Sequence, residues 1–453
     1  MPSLAVKLDR SGKILPDAVL RKTLSSATRA LVRAVVQEAE WQGAPIYLVG
    51  GFVRDLMLNQ PSLDLDLVLE GSAIRLGRAL EKRFGGRLLV HKAFGTAVWW
   101  LPRDQDLLRH LGMPARKAAE AVLPAFIDLI SARSETYAKP AALPSVQFDG
   151  IRADQFRRDF TINTLALRLD GSSAGQLLDP WGGLRDLKAG LLRTLHPRSF
   201  SDDPTRILRI LRFAGRLGFR VEPETLTQLK RNLAGLNLLS GERIRNELEL
   251  ILLEERRVGI LRQLQRLGVL HQIHPTLRFI TGTAASLERA DFESPPAYWE
   301  LATVSSADLG LVIWLMHLAP QDVADIARRV RFTAHLQAAA RAASRLRQEH
   351  RALSRMPVSR LVARLEKEPQ LAVYALFLVH ERKVLGKSLQ QYARAWRHVR
   401  TSITGSDLRK RGLPPGPEYK KILERLRAAR LDGKVRTAKQ EQTLLGQLLH
   451  EHN

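Results

Sequence analysis

Between Ile46 and Glu70 the chain changes its hydrophobic period twice, and that order restricts the folds open to it. Ile46–Val49 is a short apolar run of strand type, Gly50-Gly51 breaks it, and Phe52–Leu58 has helical spacing with Arg54 and Asp55 in its first turn. From Ser62 to Glu70 the period returns to two. Leu63, Leu65, Leu67 and Leu69 fall on one face of a strand, Asp64 and Asp66 on the other. Glycine turns of this kind let backbone N–H groups converge on an anion, and Arg54 adds a cation nearby. A Gly-Gly pair before a helix also serves as a plain turn. The two carboxylates point the same way, about 7 Å apart along the strand, and repel unless a divalent cation or a base lies between them. Hard oxygen ligands suit Mg²⁺. An isolated Asp-x-Asp is as well explained by the wet face of a half-buried strand; directly downstream of the glycine unit, the pair reads as catalytic.

Short β runs continue at Arg87–His91, Thr96–Leu101, Phe126–Ile130 and Val146–Phe148, with a helix at Ser72–Phe84 and another over Pro16–Trp41. Pro102–Pro124 interrupts them. Asp128, in the apolar run AFIDLIS, puts a third carboxylate on a strand near the Asp64/Asp66 edge. It can be a base, a further metal ligand or a structural acid paired with an arginine. Ala132–Phe148 is polar and proline-broken, as a flexible loop or a connector would be.

Two later stretches carry charge in patterned form. In FRRDFTINTLAL, Arg157, Arg158 and Asp159 precede a helix-like run that sets Asn163 four residues after Asp159 on the same face. In SDDPTRILRILRF, Asp202 and Asp203 precede a helix with Arg206 and Arg209 three apart. Acidic caps before a basic amphipathic helix account for the second pattern by themselves. Gly182-Gly183 permits a rigid turn or a pivot.

Gly50-Gly51-x-Val53-Arg54-Asp55 followed by Asp64-x-Asp66 resembles the signature of the DNA polymerase β-like nucleotidyltransferases. More narrowly it is similar to the class II tRNA nucleotidyltransferases and bacterial poly(A) polymerases. FRRDFTINTLAL resembles the family's RRDxxxNA motif, with Thr164 where alanine is usual, and Asp202-Asp203-x-x-Arg206 resembles its EDxxR motif, with Asp202 where glutamate is usual. Glu242, Arg243 and Glu247 resemble a neck-bracing motif, and Thr404–Gly433 resembles the family's tail. A short strand-to-strand turn is usual in the family where Pro102–Pro124 stands, so the resemblance implies an insertion there.

The resemblance implies an α+β chain: a polymerase β-like head with a mixed sheet over residues 1–180, then an all-helical neck at 181–255, body at 256–385 and tail at 386–453. Asp64 and Asp66 would hold Mg²⁺, with Asp128 as a further catalytic acid. Gly50, Gly51 and Arg54 would cradle the triphosphate. Arg157, Arg158, Asp159 and Asn163 would hold ribose and phosphate. Asp203 and Arg206, with Asp202 and Arg209, would select the base. A carboxylate can accept an exocyclic amine, and a guanidinium can donate to a ring nitrogen or carbonyl.

Charge supports a polyanionic partner. Lys+Arg number 71 against Asp+Glu 46, a net +25 that costs self-repulsion in a compact chain. With no cysteine, the sequence excludes disulfides, thiolate zinc sites and cysteine nucleophiles. No apolar run approaches a membrane span and the first residues lack a secretory pattern, so a cytoplasmic protein is expected. The expected activity is addition of nucleotides from CTP and ATP to the 3′ end of tRNA, CCA addition or repair, without a nucleic acid template. A-adding, CC-adding and poly(A)-adding enzymes are the alternatives within that chemistry. A catalytically inactive RNA-binding protein is the alternative outside it.

Overall fold

The computed structural model describes residues 24–60, 65–102, 105–112, 123–142, 144–290, 295–301 and 304–450. They fall into two compact units, residues 1–239 and 240–453.

In the first unit the strands are β1 (Ile46–Val49), β2 (Asp66–Leu69), β3 (Arg87–His91), β4 (Thr96–Trp100), β5 (Phe126–Ser131), β6 (Arg133–Thr136), β7 (Ser145–Phe148), β8 (Ala166–Arg168) and β9 (Leu177–Leu178), besides a short parallel pair of Leu191–Leu192 with Arg220–Val221. Seven of them form one sheet in the order β3-β4-β5-β2-β1-β8-β9. Within it only β2 and β5 run parallel, so the sheet is mixed, as expected. Side chains alternate across it. Leu67, Leu129, Ala97 and Trp99 on one face are buried. Helix α1 (Ser26–Trp41) buries the stripe Ala27, Leu31, Val35 and Ala39 and is capped by Ser25. Helix α2 spans Gly51–Met57 and α3 Ala73–Phe84. The bare Cα of Gly77 in α3 lets that helix press on Leu88 and Leu129 of the buried face.

Two sequence expectations change here, and a third group of them falls outside the described residues. The run after Arg158 is not a helix: α4 (Ile151–Phe156) ends, Thr161–Asn163 makes a single 3₁₀ turn, and Ala166–Arg168 enters the sheet beside β1. Tertiary hydrogen bonds override the helical spacing, since the Leu165 carbonyl accepts from Gly50 N–H and the Thr164 carbonyl from Gln155 Nε2. The stretch 132–148 carries the hairpin β6–β7, so Val146–Phe148 pairs outside the main sheet. Asp64 lies outside the described residues, as do 16–23 of the expected first helix and much of the 102–124 insertion; Gln105–His110 within the latter is a short helix.

The second unit is helical. Ser306–Leu315 and Gln370–His380 are apolar almost all round and, apart from the half-buried Ser306, Asp308 and Gln370, buried, as central helices must be. A separate cluster of Ile403, Leu408, Ile422, Leu426, Leu445 and Leu448 joins the last three helices. Glu242 pairs with Arg331 at 3.1 Å. Among the described residues no helix is long and apolar enough to cross a membrane.

Candidate nucleotide-transfer site

Gly50 ends β1 with φ +65°, a conformation that a side chain rarely adopts. A Cβ there would also lie 2.6 Å from Arg158 Nη1. The glycine therefore admits both the turn and the guanidinium laid against it.

Arg54, one turn into α2, is buried. Its Nε and Nη2 donate to Asp55 at 2.8 and 3.0 Å, and Nη1 donates to Asn163 Oδ1 at 2.7 Å. The Asn163 amide passes the connection on, its Nδ2 donating to Asp159 Oδ1 at 2.8 Å. Asp159 Oδ2 accepts from Arg209 Nε and Nη2 at 3.0 and 2.8 Å, and Oδ1 also accepts from Phe160 N–H. One chain of hydrogen bonds thus joins three separate sequence motifs. Helix α5 (Thr205–Leu217) supplies Arg209. Burial opposes the charge on Asp159, but the Arg209 charge, the hydrogen bonds from Asn163 and Arg209, and the Arg206 charge hold its pKa below the ordinary carboxylate value. With both oxygens doubly engaged, Asp159 is a brace for Arg209 and Asn163 in this structure.

A second network centres on Asp154, which is fully buried in α4. Its Oδ1 accepts from Arg157 Nε and Nη2 at 2.8 and 2.7 Å, and its Oδ2 from Arg158 Nη2 at 2.8 Å. Burial works against the Asp154 charge as well, and the Arg158 and Arg157 charges and hydrogen bonds overcome it, so its pKa is lowered. Arg157 also donates to Glu135 of β6, which accepts from Arg133 and from the Tyr137 hydroxyl. Burial and the Glu135 charge push the Tyr137 phenol well up, so it remains a donor. Arg158 Nε has no hydrogen-bond partner.

Arg206 is held differently. Nη1 donates to Ser199 Oγ and Nη2 to the Arg157 carbonyl, each at 2.7 Å. Both acceptors are neutral, so these two hydrogen bonds fix the guanidinium without engaging a carboxylate. Asp203 Oδ1 accepts from Thr205 N–H and Oγ1, which caps α5. The cap reading of Asp203 and its place at the site hold together.

These groups enclose a cavity of about 630 Å³. Gly50, Gly51, Arg54, Asp66, Arg157, Arg158, Asp159, Asn163, Asp203, Arg206 and Arg209 all line it. Asp202 does not. It pairs with Arg198 at 3.2 Å and faces a neighbouring cavity beside His196. Sequence reading missed Glu135, Tyr137, Phe213 and Arg216 on the lining, and the two residues behind it, Asp154 and Ser199. For Asp154 a signal existed: it stands three and four residues before Arg157 and Arg158, the spacing of helical ion pairs.

Asp128 and Asp66 are register partners on parallel neighbouring strands. Their side chains leave the same face of the sheet, on strands about 4.8 Å apart, and both are half-buried. Two oxygen donors so placed suit Mg²⁺, which takes one or two carboxylates and completes its shell with water and phosphate.

Residues 46–193 match the family model described as the Poly A polymerase head domain, and residues 218–280 the one described as the probable RNA and SrmB-binding site of polymerase A. The A-adding tRNA nucleotidyltransferase of Halalkalibacterium halodurans is 33% identical over 89% of this chain and 89% of its own length. The chain belongs to the tRNA nucleotidyltransferase family. The A-adding family member of Geobacter sulfurreducens is 32% identical over 93% of this chain, which spans about half (47%) of that longer protein. In three dimensions the chain resembles a CCA-adding enzyme solved in an apo form, with 29% identity, a TM-score of 0.77, and coverage of 96% of this chain and 98% of the other. Within this family the polymerase-type head with a mixed sheet and the helical remainder are the shared architecture.

Proposed function

We propose that this chain transfers AMP from ATP to the 3′ end of a tRNA that ends in CC. The observation that carries the reading is the single cavity on which a glycine turn, a carboxylate strand, paired arginines and an Arg206 fixed by two neutral acceptors converge. The two A-adding relatives, which align with 89% and 93% of the chain, support it.

In this reading the RNA 3′-hydroxyl gives up its proton to a carboxylate or to water as its oxygen attacks the α-phosphorus of ATP, a new P–O bond forms in line, and pyrophosphate leaves with the electron pair of the broken bond. Asp66, Asp128 and Asp64 would hold Mg²⁺, which when bound lowers the cost of charge on the phosphates. Gly50 and Gly51 leave room for the triphosphate against the backbone, and the Arg158 guanidinium laid against Gly50 on the cavity lining supplies positive charge to it. Arg54 orients Asn163, and Asp159 orients Arg209, so the ribose and phosphate contacts fall to the groups these braces hold. Arg206 donates to the base and Asp203 accepts its exocyclic amine. Adenine and cytosine share that amine; uracil and guanine do not present it in the same place.

A second reading, full CCA addition from CTP and ATP, is favoured by the likeness to a CCA-adding enzyme over nearly the whole of both chains. One experiment separates the two. Purified enzyme is given tRNA ending at the discriminator base, at C and at CC, with each nucleotide alone and together. Growth of only the CC form by one A supports the proposal. Growth of the shortest form by CCA supports the second reading, and no growth of any form overturns both.

A further inference from the structure

Beyond Asp66, which lines the cavity, the sheet presents a wall that the cavity does not use. Asp66, Asp128, Val98 and Leu89 are successive register partners across β2, β5, β4 and β3, so they form a single row on one face. The next row on that face is Phe126, Trp100 and Arg87. The neighbours that point the other way, Ile127 and Trp99, are 0% exposed, whereas Trp100, Phe126 and Leu89 are 44%, 37% and 44% exposed. Trp100 and Phe126 have ring centroids 5.0 Å apart at a tilt of 50°. Large apolar side chains clustered in the open beside a catalytic row mark an interaction surface.

We propose that this face is a stacking platform for the unpaired 3′ strand of the RNA acceptor, with Trp100 and Phe126 receiving bases just behind the terminal nucleotide. The proposal rests on the transfer reading above for the placement of the 3′-hydroxyl at the Asp66–Asp128 row. The aromatic row lies two residues further along the strands, about 7 Å away, which is roughly two stacking steps of a nucleic acid strand. Unpaired RNA bases are recognised by stacking on aromatic rings, whatever their identity, and an adjacent guanidinium serves the backbone. Arg87 stands exposed at the end of the same row. A second copy of this chain is the other conceivable occupant of an apolar face. A net charge of +25 sets two copies against each other and favours a polyanion.

The test uses the full chain and an acceptor-stem hairpin RNA with an unpaired 3′ tail ending in CC, carrying 2-aminopurine at the unpaired position before the CC. Binding is followed by 2-aminopurine fluorescence with no nucleotide present, so the result stands whether or not the transfer reading survives. Wild-type chain should quench the probe. Trp100→Ala with Phe126→Ala should abolish the quench and weaken the RNA Kd by on the order of tenfold. Trp100→Phe, which keeps a ring, should restore most of both. In incorporation assays the double variant should raise KM for RNA and leave KM for ATP unchanged. Wild-type quench and Kd in a double variant whose circular dichroism is native would overturn the proposal. So would a wild-type dimer, seen by sedimentation, that the same variant dissolves.

Discussion

Arg206 Nη2 donates to the backbone carbonyl of Arg157 at 2.7 Å, and this bond ties α5 to the arginine pair that follows α4. Its partner bond, Nη1 to the buried Ser199 hydroxyl, is equally short. Arg206→Ala should therefore relax nucleotide choice more than it weakens RNA binding. A bidentate base contact discriminates by about 1–3 kcal/mol, so the ratio of kcat/KM for ATP over GTP should fall by roughly five- to a hundredfold. Ser199→Ala leaves the charge and removes one acceptor; it should shift the same ratio by a smaller factor, and Ser199→Thr should restore it. Unchanged ratios in both Ala variants would remove Arg206 from the selecting role.

Asp154 holds two guanidinium groups with no exposure of its own. Removing one partner from a buried ion pair costs about 3–5 kcal/mol. Asp154→Ala should lower the urea midpoint accordingly. The same variant frees Arg158 and leaves Arg157 held by Glu135 alone, so any residual activity should show a raised KM for ATP. A midpoint within error of wild type would refute the bracing role.

The pH dependence of stability follows from the same carboxylates. Asp154 and Asp159 both have pKa values lowered in the folded chain. Protons therefore bind the unfolded form more readily, and stability rises with pH across the interval between folded and unfolded pKa values. The contribution is complete above the ordinary Asp value of about 3.9 and is lost as pH falls through the lower folded value. Urea midpoints should thus be flat from pH 7 to about 5 as far as these two groups are concerned, then fall below about 4. In Asp154→Asn the acid fall should be shallower.

Much of the site was legible because its chemistry is local. The glycine turn at Gly50-Gly51, the carboxylate face at Asp66 and the five strands at 46–49, 66–69, 87–91, 96–100 and 126–131 each follow from a few adjacent residues. What the sequence hid depends on contacts between distant segments. Asn163 reached its place on a 3₁₀ turn instead of a helix, because Gly50 and Gln155 claim the carbonyls around it. Four-residue spacing from Asp159 gave the right partner through the wrong element. Glu135 sat in a proline-broken stretch with loop composition, and its role follows from hairpin pairing with β7 and from Arg157 across the fold. Asp202 and Asp203 are adjacent in sequence, yet the end of one short helix and the cap of the next send them to different cavities.

Gly50→Ala is the sharpest probe of the turn. The substitution places a Cβ at φ +65° and 2.6 Å from Arg158 Nη1. Backbone strain of this kind costs about 1–3 kcal/mol, and Arg158 must withdraw to admit the methyl group. Thermal denaturation should show the loss of stability, and steady-state kinetics should show KM for ATP rising with RNA affinity unaltered. Wild-type KM would mean that the turn does not meet the triphosphate.

Asp66 and Asp128 are neighbours across β2 and β5, and they should not be equivalent. Asp66 lines the cavity and follows the glycine turn in sequence; Asp128 is one strand further from β1. Asp66→Ala should abolish incorporation, as should chelation of divalent cations, while RNA binding persists or tightens with a negative charge removed. Asp128→Asn keeps the shape and removes the charge. If Asp128 helps to hold the metal, its variant should need a higher Mg²⁺ concentration for half-maximal rate and recover substantially when that is supplied. If it serves as the base for the RNA 3′-hydroxyl, added Mg²⁺ should not rescue it, and the rate should lose its rise with pH. An Asp66→Ala enzyme that still incorporates nucleotide would remove the metal assignment from this strand.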